Sequence, residues 1–350
     1  MDFTLDDTQT EIAALTAKVL AGEDAAGRWR ALAGAGLFGL ALPPSLDGDG
    51  LGIAEVAQVL TEAGRAAAPI PVLTLASAVL PVATLGSADQ RAALLPPVAA
   101  GESLLTAALH EPGAAFPLRP AVTATASNGG WVLSGVKTAV PYAAEAARVL
   151  TPVSLPGDTG VVLLDPRADG VTLTPSRNSA GTPECTMRLD GVVVSDTDLL
   201  DDPGDAVSVL YRFAVAGVLA IGDGLLAGAL ALTSKHIGER EQFGRPLATF
   251  QAVAGQIADV YVAARTVHLA VTSAVWRLAA GLDADAELDV AAYWFASQAP
   301  EALAVCHHLH GGIGVDETYP LHRYSSAVKD LSRLLGGAAH RLGKLGMRVC

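Results

Sequence analysis

Twenty consecutive residues, Phe213 to Leu232 (FAVAGVLAIGDGLLAGALAL), leave this chain few choices. A helix that is apolar on every face has to be buried, in lipid or inside protein. Its length suits a bilayer. Asp223 at its centre is costly in hydrocarbon. Gly222, Gly224 and Gly228 strip side chains from the helix and permit close crossings, in a membrane pair or in a soluble bundle. Nothing else along the chain reads as membrane-like, so the run is expected to be the buried central helix of a bundle.

Composition supports that choice. Of 350 residues, 51% are apolar. Mean hydropathy is +0.39, high for a soluble protein, which implies burial against other subunits as well as an internal core. The length is enough for two or three subdomains. A net charge of −13 argues against nucleic-acid binding. Cys185, Cys306 and Cys350 are odd in number and far apart, so a disulfide framework is not expected and a reducing cytoplasm is. The opening MDFTLDDTQTEIAAL is acidic and amphipathic, without the basic start of a signal peptide.

Along the chain the pattern changes twice. Residues 1–104 read as an N-terminal α-helical domain, with helices over Asp6–Leu20, Arg28–Leu40, Ile53–Arg65, Leu73–Leu85 and Ser87–Leu95. Ser87 is a candidate N-cap. Residues 105–203 read as a middle β domain, a small barrel or sandwich. Its expected strands are Ala121–Thr125, Trp131–Ala139, Val149–Leu155, Gly160–Leu164, Val171–Thr174 and Thr186–Val194, with Asn128-Gly129-Gly130 as a hairpin turn. Residues 204–350 read as a C-terminal four-helix bundle, with helices over Val207–Ile237, Ala248–Ala280, Asp289–Leu309 and Tyr324–Leu335. The class is α+β.

Two motifs lie in the last third. KHIGEREQFGRPLATFQA (Lys235–Ala252) places Arg240 before a Phe243-Gly244-Arg245-Pro246 turn, with Gln251 on the helix that resumes near Thr249. A guanidinium fork there suits a pyrophosphate. Cys306-His307-His308-Leu309-His310-Gly311-Gly312-Ile313-Gly314 is followed by Tyr319-Pro320-Leu321-His322-Arg323-Tyr324. Taken alone, Cys306 and His310 at i,i+4 could begin a zinc site, though no second ligand cluster completes one. Gly311-Gly312 could be a plain helix cap.

In order and spacing these stretches resemble the R-x-x-F-G-x-x-x-x-x-x-Q and Q-x-x-G-G-x-G…YP-x-x-R signatures of the acyl-CoA dehydrogenase superfamily. The resemblance extends over nearly the whole chain and implies that family's fold. It also implies that Arg240, Gln242, Phe243, Gln251, His308, Gly311 and Gly312 hold the diphosphate and adenosine of an FAD shared with a neighbouring subunit. His308 stands where glutamine is usual. Stretches such as LTAALHEPGAA, YWFASQAP and KDLSRLLGG resemble the small subunit of actinobacterial heterotetrameric members that act on steroid side chains. That likeness implies an α2β2 assembly oxidising a steroid-CoA thioester, with a larger homologous partner carrying the catalytic glutamate and binding most of the thioester. A propionyl-length side chain on ring D is the leading expectation for the substrate, and an electron-transfer flavoprotein is the family's acceptor.

The catalytic pattern, by contrast, is missing. Where the family has Y-E-G-T this chain has Leu334-Leu335-Gly336-Gly337, and at the alternative position for the base it has Tyr211. The flavin-ring motif T-E-P-G-x-G-S-D becomes His110-Glu111-Pro112-Gly113-Ala114-Ala115-Phe116-Pro117, and W-I-T-N-G becomes Ala139-Val140-Pro141-Tyr142-Ala143. No catalytic residue and no metal ligand is therefore assigned to this chain. The expectation is that it grips the nucleotide tail while its own ring site is empty or filled by side chains such as Phe116 and Tyr142. The competing expectations are a self-sufficient homotetramer using Asp223 or Glu241 as base, and a flavin-free scaffold on the same fold.

Overall fold

The computed structural model describes residues 3–22, 25–127, 129–201 and 205–349. Asn128 of the expected turn, the 203/204 boundary and Cys350 lie outside the described residues. Helices come first: α1 (Asp7–Gly22), α2 (Ala25–Gly34), α3 (Ile53–Arg65), α4 (Leu80–Leu85) and α5 (Ala88–Ala99). A π-helical turn, Leu75–Val79, leads into α4. Ser87 does cap α5: its side chain accepts from the Gln90 N–H, and the Gln90 side chain accepts from the Ser87 N–H. The helix expected to reach Leu40 stops at Gly34, because Gly36 turns left-handed (φ 77°) and opens a series of turns.

Among the described residues nine strands follow: β1 (Leu105–Ala107), β2 (His110–Glu111), β3 (Ala114–Ala115), β4 (Thr123–Ser127), β5 (Gly130–Pro141), β6 (Arg148–Leu155), β7 (Asp158–Leu164), β8 (Val171–Arg177) and β9 (Pro183–Ser195). The sheet runs β1-β6-β4-β5-β2-β3 and branches, with β7 beside β6, and β9 linking β5 to β8. Branching at β5 and β6 lets one apolar face close around a core that includes Val122, Leu133, Val140, Val149, Val162, Met187 and Val192. Every strand read from the sequence is present. β1, β2 and β3 were not read, being two or three residues long and without alternation.

The last third is helical: α6 (Ala206–Glu239), a hairpin of β10 (Glu241–Gln242) and β11 (Arg245–Pro246), then α7 (Gln251–Ala279), α8 (Asp285–His310), α9 (Leu321–Leu334) and α10 (Gly337–Val349). The order helices, strands, helices is the one expected. By contacts the chain divides into two compact units: Met1–Ala21 with Ala57–Ala68 and Val218–Cys350, and Gly22–Val56 with Pro69–Gly217.

Within the first unit the glycines of α6 have a visible purpose. A Cβ on Gly224 would run into the Thr61 carbonyl of α3, one on Gly228 into the Arg65 carbonyl, and one on Gly222 into the Phe295 ring of α8. Tyr324 of α9 ties the same crossing, its hydroxyl donating to the Arg65 carbonyl at 2.9 Å. α6 is long and apolar enough to cross a membrane, but most of its apolar window is buried inside the protein.

Candidate functional site

The end of α6 is shaped by the residues that follow it. The Arg240 N–H donates to the His236 carbonyl, and the Leu247 N–H donates to the Arg240 carbonyl, both at 2.8 Å. Between them Gln242 pairs with Arg245, and Phe243 and Gly244 form the turn with φ of 54° and 78°. Two left-handed residues in a two-residue loop make a tight primed hairpin, which glycine at the second position favours. The turn is thus Phe243-Gly244 alone, and Arg245-Pro246 forms the return strand. The Arg245 guanidinium lies 4.1 Å from the centre of the Phe250 ring, holding the hairpin to the start of α7. Phe243 is 94% exposed. Arg240, Gln242 and Gln251 are exposed as well. Helix α7 begins at Gln251, after a 3-10 turn over Leu247–Thr249.

The end of α8 supplies the second group. Gly311 (φ 59°) terminates the helix, its N–H donating to the His307 and His308 carbonyls. His308, Gly311 and Gly312 are exposed, and a Cβ on either glycine would meet nothing within 4 Å. Peptide groups there are open to close approach.

What joins the two groups is His310, read from the sequence only as half of a possible zinc start and not as a neighbour of His236. Its ring stacks on His236 of α6, centroids 4.4 Å apart and planes 18° from parallel. Its Nδ1 bonds to the Cys306 carbonyl at 2.7 Å, so that nitrogen carries the proton. Its Nε2 then accepts from the Tyr319 hydroxyl at 3.1 Å. The Arg240 hairpin and the Gly311-Gly312 turn therefore share one end of this helical unit. The Cys306/His310 spacing serves this internal bond, and the Cys306 thiol is fully buried.

The positions read from the sequence as matching the family's reacting end belong to the β-rich unit, apart from Leu335, and are of another kind. Phe116 adopts φ 51° and is 2% exposed. Its ring meets Tyr211 edge-on at 5.3 Å and His110 at 5.7 Å. The Tyr211 hydroxyl donates to the Pro117 carbonyl at 3.1 Å. Burial, and then the charge of Glu111, push the Tyr211 pKa above its ordinary value, so it keeps its proton. Tyr142 is also left-handed (φ 53°), and its N–H donates to the Pro183 carbonyl. Glu111 accepts from Lys137 at 2.7 Å, from the Ala121 N–H at 2.6 Å and from the Val122 N–H at 3.0 Å. In the helical unit Leu335, read from the sequence at the family's acid position, is fully buried. Asp223 is taken up by His268 Nδ1 at 2.9 Å, and Glu241 lies exposed in the hairpin.

The acyl-CoA dehydrogenase N-terminal domain family matches residues 6–102, and the C-terminal domain family matches residues 212–345. The chain is 47% identical to acyl-CoA dehydrogenase FadE28 of Mycobacterium tuberculosis over 99% of both sequences. This protein belongs to the acyl-CoA dehydrogenase family. It is also 31% identical to acyl-CoA dehydrogenase FadE27 of the same organism, over 92% of this chain and 87% of the other. Among solved structures it resembles a variant of the Tcur3481-Tcur3483 steroid ACAD, with TM-score 0.92 and 35% identity over 99% of this chain and 98% of that one. It resembles the ChsE4-ChsE5 complex from Mycobacterium tuberculosis equally in fold, with TM-score 0.92 and 28% identity over 100% and 99%. Acyl-CoA dehydrogenases are FAD-dependent oxidoreductases acting on CH–CH bonds.

Proposed function

We propose that this chain is the base-lacking subunit of an α2β2 acyl-CoA dehydrogenase that introduces an α,β double bond into a steroid side-chain CoA thioester. Its role is to hold the adenosine and diphosphate of an FAD whose ring lies in the homologous, larger partner. The contrast between the chain's two sets of family positions carries this reading. Arg240, Gln242, Phe243, Gln251, His308, Gly311 and Gly312 are exposed at one end of the helical unit. The positions that would serve the reacting end are apolar, packed or already bonded, with Phe116 buried against Tyr211 and Leu335 in place of an acid.

The residues present fit one half of FAD. Arg240 offers charge-assisted donors to a diphosphate, and no ion pair engages it among the described residues. Gly311 and Gly312 leave open space where a nucleotide could approach the backbone. They do not fit the other half, so no step of the reaction is assigned to this chain's Phe116 or Tyr211. When bound, FAD supplies the acceptor for the β-hydride, and the partner's glutamate takes the α-proton. An electron-transfer flavoprotein would reoxidise the flavin, in the cytoplasm.

Surface chemistry supports a permanent partner. Among the described residues, thirteen of fifteen exposed large hydrophobic side chains fall in the helical unit, including Tyr261, Val262, Trp294, Val315 and Met347. Such side chains are the ones a partner subunit would cover. Both solved relatives carry two-component names, and one is called a steroid ACAD.

Co-expression with the larger homologue tests the proposal. The purified complex is expected to hold two FAD per α2β2, by flavin absorbance against protein concentration, and the chain alone to be colourless. Four FAD per tetramer, or a yellow and active chain on its own, would overturn it. A second expectation concerns Tyr211. Tyr211→Phe in the complex should leave kcat within about twofold, because a buried, protonated phenol is no general base. A large drop in kcat with unchanged flavin content would make Tyr211 catalytic.

A further inference from the structure

Five of the eight histidines (His236, His307, His308, His310 and His322) lie on the last turns of α6 and α8 or the first turn of α9. Two of them are face to face, and their roles differ. His310 is buried, with Nδ1 committed to the Cys306 carbonyl and Nε2 to Tyr319. It is a neutral ring of fixed tautomer. His236 is only partly buried and lies four residues before Arg240, whose N–H bonds to its carbonyl. It presents one face to the neutral His310 ring, a surface that an imidazolium can rest on.

Arg240 alone does not balance a diphosphate. The diphosphate of a dinucleotide carries two negative charges, one on each phosphate, and Arg240 brings one positive charge. We propose that His236, supported on His310, is the second cation of the nucleotide site, taking up a proton when the diphosphate arrives at Arg240. The proposal rests on the reading of Arg240 given above and adds to it a residue, a charge and a linkage.

The surroundings favour conditional charge. Without an anion His236 is held neutral, its pKa lowered by burial and then by Arg240, with Glu239 opposing. Burial also lowers the His310 pKa, the bond to the Cys306 carbonyl opposes, and the His236 and His307 charges lower it further. The other groups facing the pair are Tyr319, itself near Glu239, and His322 and Lys329, which bear on His307. An anion at Arg240 offsets the repulsion that, after burial, disfavours the proton on His236. Its pKa then rises on binding, so affinity increases as pH falls through the window between the free and bound values.

ADP-ribose is the probe, because both of its phosphates are esterified and neither titrates near neutrality. Calorimetry of ADP-ribose binding to the full-length chain, in buffers of different ionisation enthalpy, is expected to show uptake of up to about half a proton near neutral pH. Affinity should be about tenfold tighter at pH 6 than at pH 8, a one-unit shift. His236→Gln flattens that profile, and His236→Lys restores tight binding without the pH dependence. Binding that requires Arg240, yet shows no proton uptake and ignores His236→Gln, overturns the inference and leaves the nucleotide site standing. No binding by the wild-type chain, or binding indifferent to Arg240→Ala, overturns both.

Discussion

Lys137→Met is expected to destabilise the β-rich unit by about 3–5 kcal/mol. Lys137 is fully buried, and its ammonium lies 2.7 Å from Glu111, itself only 4% exposed. Burial lowers the Lys137 pKa to about 8, while Glu111 pulls the other way. Burial alone would raise the Glu111 pKa, but the Lys137 bond and charge and the Ala121 and Val122 N–H groups bring it below its ordinary value. The sign follows from that lowered value. The contribution of Glu111 is present above the unfolded carboxyl pKa and is lost as pH falls through the folded one. In the methionine variant the cation is gone and the carboxyl remains buried, so its folded pKa is raised instead. The deficit should then be largest at neutral pH and shrink toward pH 4. Urea denaturation at pH 7 and pH 4.5 checks this, with Glu111→Leu/Lys137→Met expected to recover part of the loss. A single variant within 1 kcal/mol of wild type, by the same measure, would mean the pair contributes no more than a surface ion pair.

That pair also illustrates which contacts a sequence discloses. Periodicity exposed the strands of the middle third, and Ser87 as an N-cap exposed a helix start, because both are local. The glycines of α6 announced a close crossing but not its partners, since Thr61 and Arg65 lie more than a hundred residues away. Glu111 and Lys137 are 26 positions apart and meet only because β2 pairs with β5. α10 escaped notice as a separate helix, its glycines at 337, 343 and 346 diluting the helical pattern. At the candidate site the motif residues were legible because they are clustered in sequence. The stack that aligns the two motifs was not, because His236 and His310 are 74 positions apart and only the fold of α6 against α8 joins them.

Arg240→Ala is expected to strip most of the flavin from the assembled complex. The side chain sits at the start of a two-strand hairpin whose backbone is fixed by Leu247 and His236, so its loss should leave the fold intact. What disappears is a charge-assisted contact to a diphosphate, worth about 1.5–3 kcal/mol, so FAD should dissociate at least tenfold more readily. Arg240→Lys keeps the charge but loses the planar fork, and should recover only part of the affinity. Gly312→Val tests the same site from the other side. A side chain there meets open space in this chain, so folding should tolerate it, yet it would fill the path by which a nucleotide reaches the backbone. Flavin retained after gel filtration, measured against subunit stoichiometry, reports both variants. If Arg240→Ala and Gly312→Val each keep a full complement of FAD in an intact complex, the nucleotide is held elsewhere and the division of labour proposed for the two subunits fails.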